Sequence, residues 1–207
     1  MVSTVVDFRA LVPEHRLDTA TEALRSALGT TRFDAAQVLS GGVSGALILR
    51  LTTKGRDCVL RIEPERVAQP HRERHFAAMS AAAEAGAAPA VHFCDSGSGV
   101  CVMDFVAVQP LASHPGGPVG LARALGELLA KVRGAAPFTD FGPYPELIAT
   151  LLAGLAASGR FPASDLAACH DGLARIADGL TWSQARVSTH NDLSPRNLLF
   201  DGARLWL

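Results

Sequence analysis

The stretch VLSGGVSGALILRLTTKGRDCVLRI, residues 38–62, constrains the fold more than any other part of the chain. Gly41, Gly42 and Gly45 interrupt two β-rich runs, and Lys54-Gly55-Arg56-Asp57 makes a turn before a third run, CVLRI. Three antiparallel strands are the natural reading. Two well-known glycine loops are excluded by what surrounds the glycines. A Walker loop needs Gly-Lys-Ser/Thr ahead of a helix, whereas Gly45 is followed by Ala46-Leu47-Ile48. A dinucleotide fingerprint requires glycine where Ser40 stands and a helix after Gly45, but leucine and isoleucine follow. What remains is a strand–glycine loop–strand hairpin, either an ordinary turn or a cover over phosphates, since glycines let backbone amides approach an anion closely.

The rest of the chain alternates period and punctuation. Leu17, Ala20, Leu24 and Leu28 recur at helical spacing across 14–28, and Gly29 stops that helix. A long helix is expected from about 70 to 85, ending near Gly86. AVHFCDSGSGVCVMDFV then reads as a hairpin turning at residues 95–99. Residues 107–118 are rich in proline and glycine without periodicity, which suggests a linker between lobes. Beyond it, helices are expected near 118–134, 144–158 and 163–180, followed by strands in RVSTH, NLLF and RLWL, the last two around the turn Asp201-Gly202. The expected class is α+β: residues 1–106 form an antiparallel-sheet lobe with one long helix, and 107–207 a mainly helical lobe.

Composition narrows the function classes. The 207 residues are 48% hydrophobic with a formal net charge of -1, which suits a globular protein and gives no reason to expect a nucleic-acid partner. The start of the chain lacks the pattern of a signal peptide, and LIATLLAGLAASG is too short to span a bilayer, so a cytoplasmic protein with no membrane partner is expected. Cys58, Cys94, Cys101 and Cys169 are widely spaced, which favours small apolar packing groups over a disulfide framework.

Order along the chain gives two charges a role. Arg61, on the strand after the glycine loop, can reach nucleotide phosphates, and Glu73, on the next helix, can hold that cation in place. Their neighbours Glu63, Arg66, Arg72 and Arg74 read as solvated surface charges. His71 and His75 share a helix face at zinc-site spacing, but the intervening Glu73 is not next to the first histidine as in zincins, so surface histidines are the better reading.

The densest chemistry lies in STHNDLSPRNLLF. His190, Asp192 and Asn197 form H-x-D-x-x-x-x-N between β-like runs. Phosphoryl transfer needs a carboxylate to orient and accept a proton from the attacking hydroxyl, and an oxygen ligand for Mg²⁺ nearby. Asp192 and Asn197 are of those types, and His190 is placed to brace the loop. The plain alternative is a loop whose Asp and Asn satisfy local backbone groups.

HNDLSPRNLLFDGARLWL resembles the catalytic segment of the aminoglycoside phosphotransferase/choline kinase family, which has the protein-kinase-like fold. The loop SGGVSGA, the strand CVLRI with Arg61, the helix with Glu73 and the segment VCVMDFV follow in the family's order. The resemblance implies that the backbone of Asp104 and Val106 holds the base, and that Gly41, Gly42, Ser44, Gly45 and Arg61 hold phosphates. It also implies ATP or GTP as donor, Mg²⁺ as cofactor and a small-molecule hydroxyl as acceptor. Arginine at 61 and HND in place of HGD tilt the comparison towards the choline- and ethanolamine-kinase-like branch.

In that family a strand like RLWL leads into a second metal-binding aspartate and further helices. The resemblance therefore casts the chain as a fragment or truncated form that transfers phosphate poorly by itself. A non-catalytic, pseudokinase-like nucleotide-binding module is the competing expectation. A zinc or nucleic-acid protein, with only HRERH and scattered arginines in its favour, is the third. Neither the acceptor nor the oligomeric state is specified; Trp182 and Tyr144 are candidate pocket residues.

Overall fold

The computed structural model describes residues 7–40, 44–53, 55–139, 144–179 and 187–207. Helix α1, Leu17–Leu28, buries Ala20, Ala23 and Leu24 and ends at Gly29, whose φ of 68° lets its N–H return to the Arg25 carbonyl at 2.8 Å. Strands β1 (Ala35–Val38), β2 (Leu47–Thr53) and β3 (Arg56–Ile62) follow as expected. Then come helix α2, Gln69–Glu84, and the hairpin of β4 (Val91–Asp95) and β5 (Val100–Asp104). The five strands form one antiparallel sheet in the order β1-β2-β3-β5-β4.

Side-chain alternation divides the sheet into two faces. Leu49 and Leu51 of β2, Leu60 and Ile62 of β3 and Val102 of β5 are buried in one apolar cluster with Leu24 of α1. Val59, Arg61 and then Glu63 belong to the alternate set, so the charged residues of β3 share a face by strand geometry.

Helix α3, Gly117–Gly134, buries Leu128 and Val132 against a second cluster with Ala82, Ala87, Phe200 and Leu205. Phe200 and Leu205 come from the short hairpin of β6 (Leu199–Phe200) and β7 (Leu205–Trp206). Two backbone bonds stitch this hairpin to earlier chain: Gln109 N–H to the Phe200 carbonyl at 2.6 Å, and Leu207 N–H to the Ala87 carbonyl at 2.9 Å. The segment read as a linker thus carries a β-bridge at Gln109 and a 3-10 turn at Leu111–Ser113.

The chain divides into two compact units, Met1–Phe138 with Val187–Leu207, and Thr139–Arg186. The expected lobe boundary at 106 falls inside the first unit, because β6 and β7 pack with α3 and bond to Gln109. Within the second unit, α4 (Tyr144–Ala157) and α5 (Ala163–Gly179) pack on each other. Among the described residues no helix is long and apolar enough to cross a membrane.

Two expectations are corrected. Residues 187–190 of RVSTH form no strand; the buried Ser188 hydroxyl instead accepts from the Phe138 N–H at 3.0 Å, so a side chain does what a ladder would have done. Cys94 and Cys101 are not thiols but a disulfide, because the tight turn between them makes them register partners, with Cα atoms 4.2 Å apart. Cys58 and Cys169 are free.

Candidate active site

The residues after β5 border a cavity of about 230 Å³ lined by Asp57, Asp104, Phe105, Val106, Asp201 and Trp206, among others. Its size suits one flat ring system better than a whole drug-sized ligand. Phe105 is fixed at its edge: its N–H reaches the Asp57 carbonyl at 3.4 Å, and the Arg50 guanidinium lies 4.2 Å over its ring. The Asp104 N–H is occupied by the Ala90 carbonyl at 2.9 Å, and its carboxylate by His92 at 2.8 Å and Arg56 at 3.3 Å. Among the described residues the Val106 backbone has no hydrogen-bond partner. The far wall was not foreseen. Asp201 accepts from the N–H groups of Ala203 and Arg204 at 2.8 Å each and from the Trp206 indole at 2.8 Å, and so holds that ring against the cavity. The Arg204 backbone bond leads the interactions that keep the Asp201 carboxyl below its ordinary range. Gly202 suits this turn because its φ of 97° is one that other side chains rarely adopt.

The loop 190–197 is built around Asp192. Asn197 Nδ2 donates to the Asp192 carbonyl at 2.8 Å and to its carboxylate at 2.9 Å. The Asp192 N–H donates to His190 Nδ1 at 3.3 Å, so His190 braces the backbone of the acid. A turn carries the chain round: Ser194 N–H bonds the Asp192 carbonyl at 3.0 Å and Asn197 N–H the Ser194 carbonyl at 3.0 Å. Asn191 alone among the described non-glycine residues has positive φ, at 61°, and its Oδ1 accepts from the Thr189 hydroxyl at 2.7 Å. Asparagine tolerates that conformation better than other side chains. The three residues picked out by spacing are therefore brought together, with the Asp192 side chain exposed.

The glycine-loop side is partly described. Gly41 and Gly42 lie outside the described residues. Ser44 and Gly45 are seen, and Arg66 Nη2 donates to the Ser44 carbonyl at 2.8 Å, tying the loop to the chain beyond β3. Arg61 does not meet Glu73, contrary to expectation: the Glu73 side chain is exposed and accepts from Gln69 at 3.0 Å. Arg61 Nε instead donates to Glu63 Oε1 at 2.7 Å, and His75 Nδ1 lies 3.3 Å from the same oxygen. Glu63, read as a surface charge, is only 3% exposed. Burial alone would raise its carboxyl, but hydrogen bonds from His75 and Arg61 and the Arg61 charge hold it at about 2. The missed cue was parity, since residues 61 and 63 project from the same face of a strand. His71 is engaged separately, with Arg74 at 2.8 Å. Among the described residues no hydrogen bond or ion pair joins Arg61 or Ser44 to the 190–197 loop.

Donor chemistry in that loop suits a hard divalent cation. With Asn197 Nδ2 committed to Asp192, the amide oxygen and one carboxylate oxygen have no partner among the described residues. Oxygen ligands of this kind, one carboxylate and one amide, match the sparse protein coordination of Mg²⁺, which keeps waters and phosphates as its other ligands. Among the described residues no group of three or more His, Cys, Asp or Glu side chains is placed to hold a metal.

The sequence matches the phosphotransferase enzyme family over residues 35–205. No curated protein matches it. Among solved structures, a choline/ethanolamine kinase family protein from Mesorhizobium loti superposes with a TM-score of 0.65 at 22% identity, covering 92% of this chain and 63% of that one. Choline kinase LicA from Streptococcus pneumoniae gives 0.67 at 16% identity, covering 94% of this chain and 68% of that one. A spectinomycin phosphotransferase solved with ADP and spectinomycin gives 0.60 at 12% identity, covering 92% and 67%. The fold is thus the α+β, kinase-like one, and the chain spans less than two thirds of the length of the Mesorhizobium protein.

Proposed function

Because the chain belongs to the phosphotransferase enzyme family, we propose that it moves the terminal phosphate of ATP or GTP to a hydroxyl of a small molecule. The observation that carries this reading is the pairing of an exposed Asp192 carboxylate with Asn197 in a loop braced by His190. Asp192 accepts the proton of the acceptor hydroxyl as its oxygen bonds to the terminal phosphorus; the bond to the bridging oxygen breaks and the nucleoside diphosphate leaves. Asn197, with Asp192 beside it, would hold Mg²⁺, which supplies positive charge to the phosphates. Arg61 and the glycine loop hold the same phosphates from the sheet side. The base enters the cavity between Phe105 and Trp206, where the Val106 backbone, unpartnered among the described residues, offers it a hydrogen bond and Asp104 flanks it.

The acceptor class follows from the relatives' names alone: an amino alcohol such as choline or ethanolamine, or an aminoglycoside or other sugar. A cytoplasmic site of action goes with a nucleoside triphosphate donor. The test is nucleotide consumption by protein that includes this chain, screened against choline, ethanolamine, sugars and aminoglycosides. Turnover with one class, abolished by Asp192→Ala, supports the proposal. Mg²⁺-dependent nucleotide binding without turnover on any acceptor would favour a non-catalytic nucleotide-binding module instead.

A further inference from the structure

We propose that Glu63, just past the end of β3, is the positioning residue for Arg61, doing from the strand what a helix carboxylate was expected to do, with His75 of α2 clamping the same carboxylate oxygen. The inference rests on the reading above that Arg61 meets nucleotide phosphates.

Three features make Glu63 a fixed point. Its N–H donates to the Gly99 carbonyl at 2.8 Å, and its carbonyl accepts from Arg16 Nη1 at 3.2 Å. Gly99 packs so closely that an added Cβ would stand 3.3 Å from the Glu63 Cβ. A buried carboxylate is costly unless paired, and here Arg61 at 2.7 Å and His75 at 3.3 Å converge on Oε1.

The consequence for Arg61 is directional. A guanidinium is a rigid planar fork, so fixing Nε fixes where both terminal nitrogens point. Those nitrogens have no partner among the described residues, and the side chain is 17% exposed. The open edge of the fork is thus held ready for an anion. Glu73, engaged with Gln69, contributes nothing to this arrangement.

The test combines binding of Mg-ATP and of adenosine, measured by calorimetry, with the NMR signal of the Arg61 Nε–H group and its rate of solvent exchange. Glu63→Gln is expected to weaken Mg-ATP binding about tenfold while adenosine affinity stays within about twofold, and to speed Nε–H exchange. The double variant Glu63→Gln/His75→Glu, which moves the carboxylate to the helix, is expected to recover most of the Mg-ATP affinity. His75→Asn, at a half-exposed site, gives a smaller effect of the same selectivity should Glu63→Gln not fold. Equal weakening of Mg-ATP and adenosine would overturn the proposal, as would loss of the Arg61 signature in Glu73→Gln with its retention in Glu63→Gln. If unaltered protein that includes this chain binds no nucleotide, the phosphotransferase reading fails, while the Arg61 Nε–H signal still decides whether Glu63 positions it.

Discussion

Asn197 folds back onto Asp192 so that one amide nitrogen serves both the main-chain carbonyl, at 2.8 Å, and the carboxylate, at 2.9 Å, of the same residue. The acid's direction is therefore set by a neighbour five positions along the chain. On the proposed phosphotransferase reading, replacing Asp192 by Ala should lower kcat by about 10²-fold or more, with little change in nucleotide affinity. On the same reading, Asn197→Ala should raise the Mg²⁺ concentration needed for half-maximal rate by about tenfold, because the proposed ligand and a positioning bond are lost together. Steady-state kinetics over a Mg²⁺ series separates the two.

Asn191 carries the backbone strain of the loop. At φ 61°, glycine fits without penalty, so Asn191→Gly should leave stability unchanged to within about 1 kcal/mol. A β-branched residue does not fit, and Asn191→Val should cost about 1–3 kcal/mol. Thermal melts of both variants check the contrast.

Acid sensitivity should trace to Glu63. Its folded carboxyl sits at about 2 against an ordinary 4.5, so its stabilising contribution is complete above 4.5 and is lost as pH falls from there towards 2. The difference corresponds to about 3 kcal/mol at neutral pH. Asp57, Asp95 and Asp201 are also depressed and act with the same sign. Urea melts between these pH values should show stability falling on acidification, with a flatter acid limb in Glu63→Gln.

How much of this could be read from the residues depended on whether the information was local. The glycine-interrupted hairpin, α1 with its Gly29 stop and the H-x-D-x-x-x-x-N loop all follow from short-range pattern, and the structure has them where the sequence implies. The helix carboxylate for Arg61 was inferred from chain order, which says nothing about which side chains meet. Glu63 and Arg61 meet because of strand parity and burial, and burial depends on Arg16 and Gly99, 47 and 36 residues away in opposite directions. Trp206 and Asp201 were missed for a similar reason: nothing in RLWL tells that its tryptophan faces the segment after β5. The Cys94–Cys101 pair was legible in principle, since a hairpin turning over 96–99 places those two residues opposite each other.

Trp206 offers a reporter for the cavity. Trp182 is the other tryptophan and lies outside the described residues, as does the Tyr144 side chain. In a Trp182→Phe background, ADP should change Trp206 fluorescence saturably. Asp201→Asn should shift the starting emission, because the indole loses a charged hydrogen-bond partner at 2.8 Å. A flat titration would place the base elsewhere.

Cysteine reactivity gives an independent check of the sheet. Burial pushes the Cys58 thiol up to about 11, so it should resist alkylation in the folded protein, whereas exposed Cys169 should react. Denaturation should release Cys58, and reduction should then release Cys94 and Cys101. Mass spectrometry after each step counts the labels.

The stitching of β6 and β7 to residues 87 and 109 has a consequence for how the molecule comes into being. The front sheet can assemble early from neighbouring strands, but one wall of its cavity is Trp206, made about a hundred residues after Asp104. The second unit, Thr139–Arg186, must be synthesised in between and leaves the first unit waiting. Loop closure over that distance is slow compared with hairpin formation. The sheet can therefore be complete while its cavity still lacks one wall, and the apolar residues Leu128, Val132 and Ala87 stay without Phe200 and Leu205 until the hairpin arrives. The cavity beside Asp104 thus closes only after the sheet that carries it.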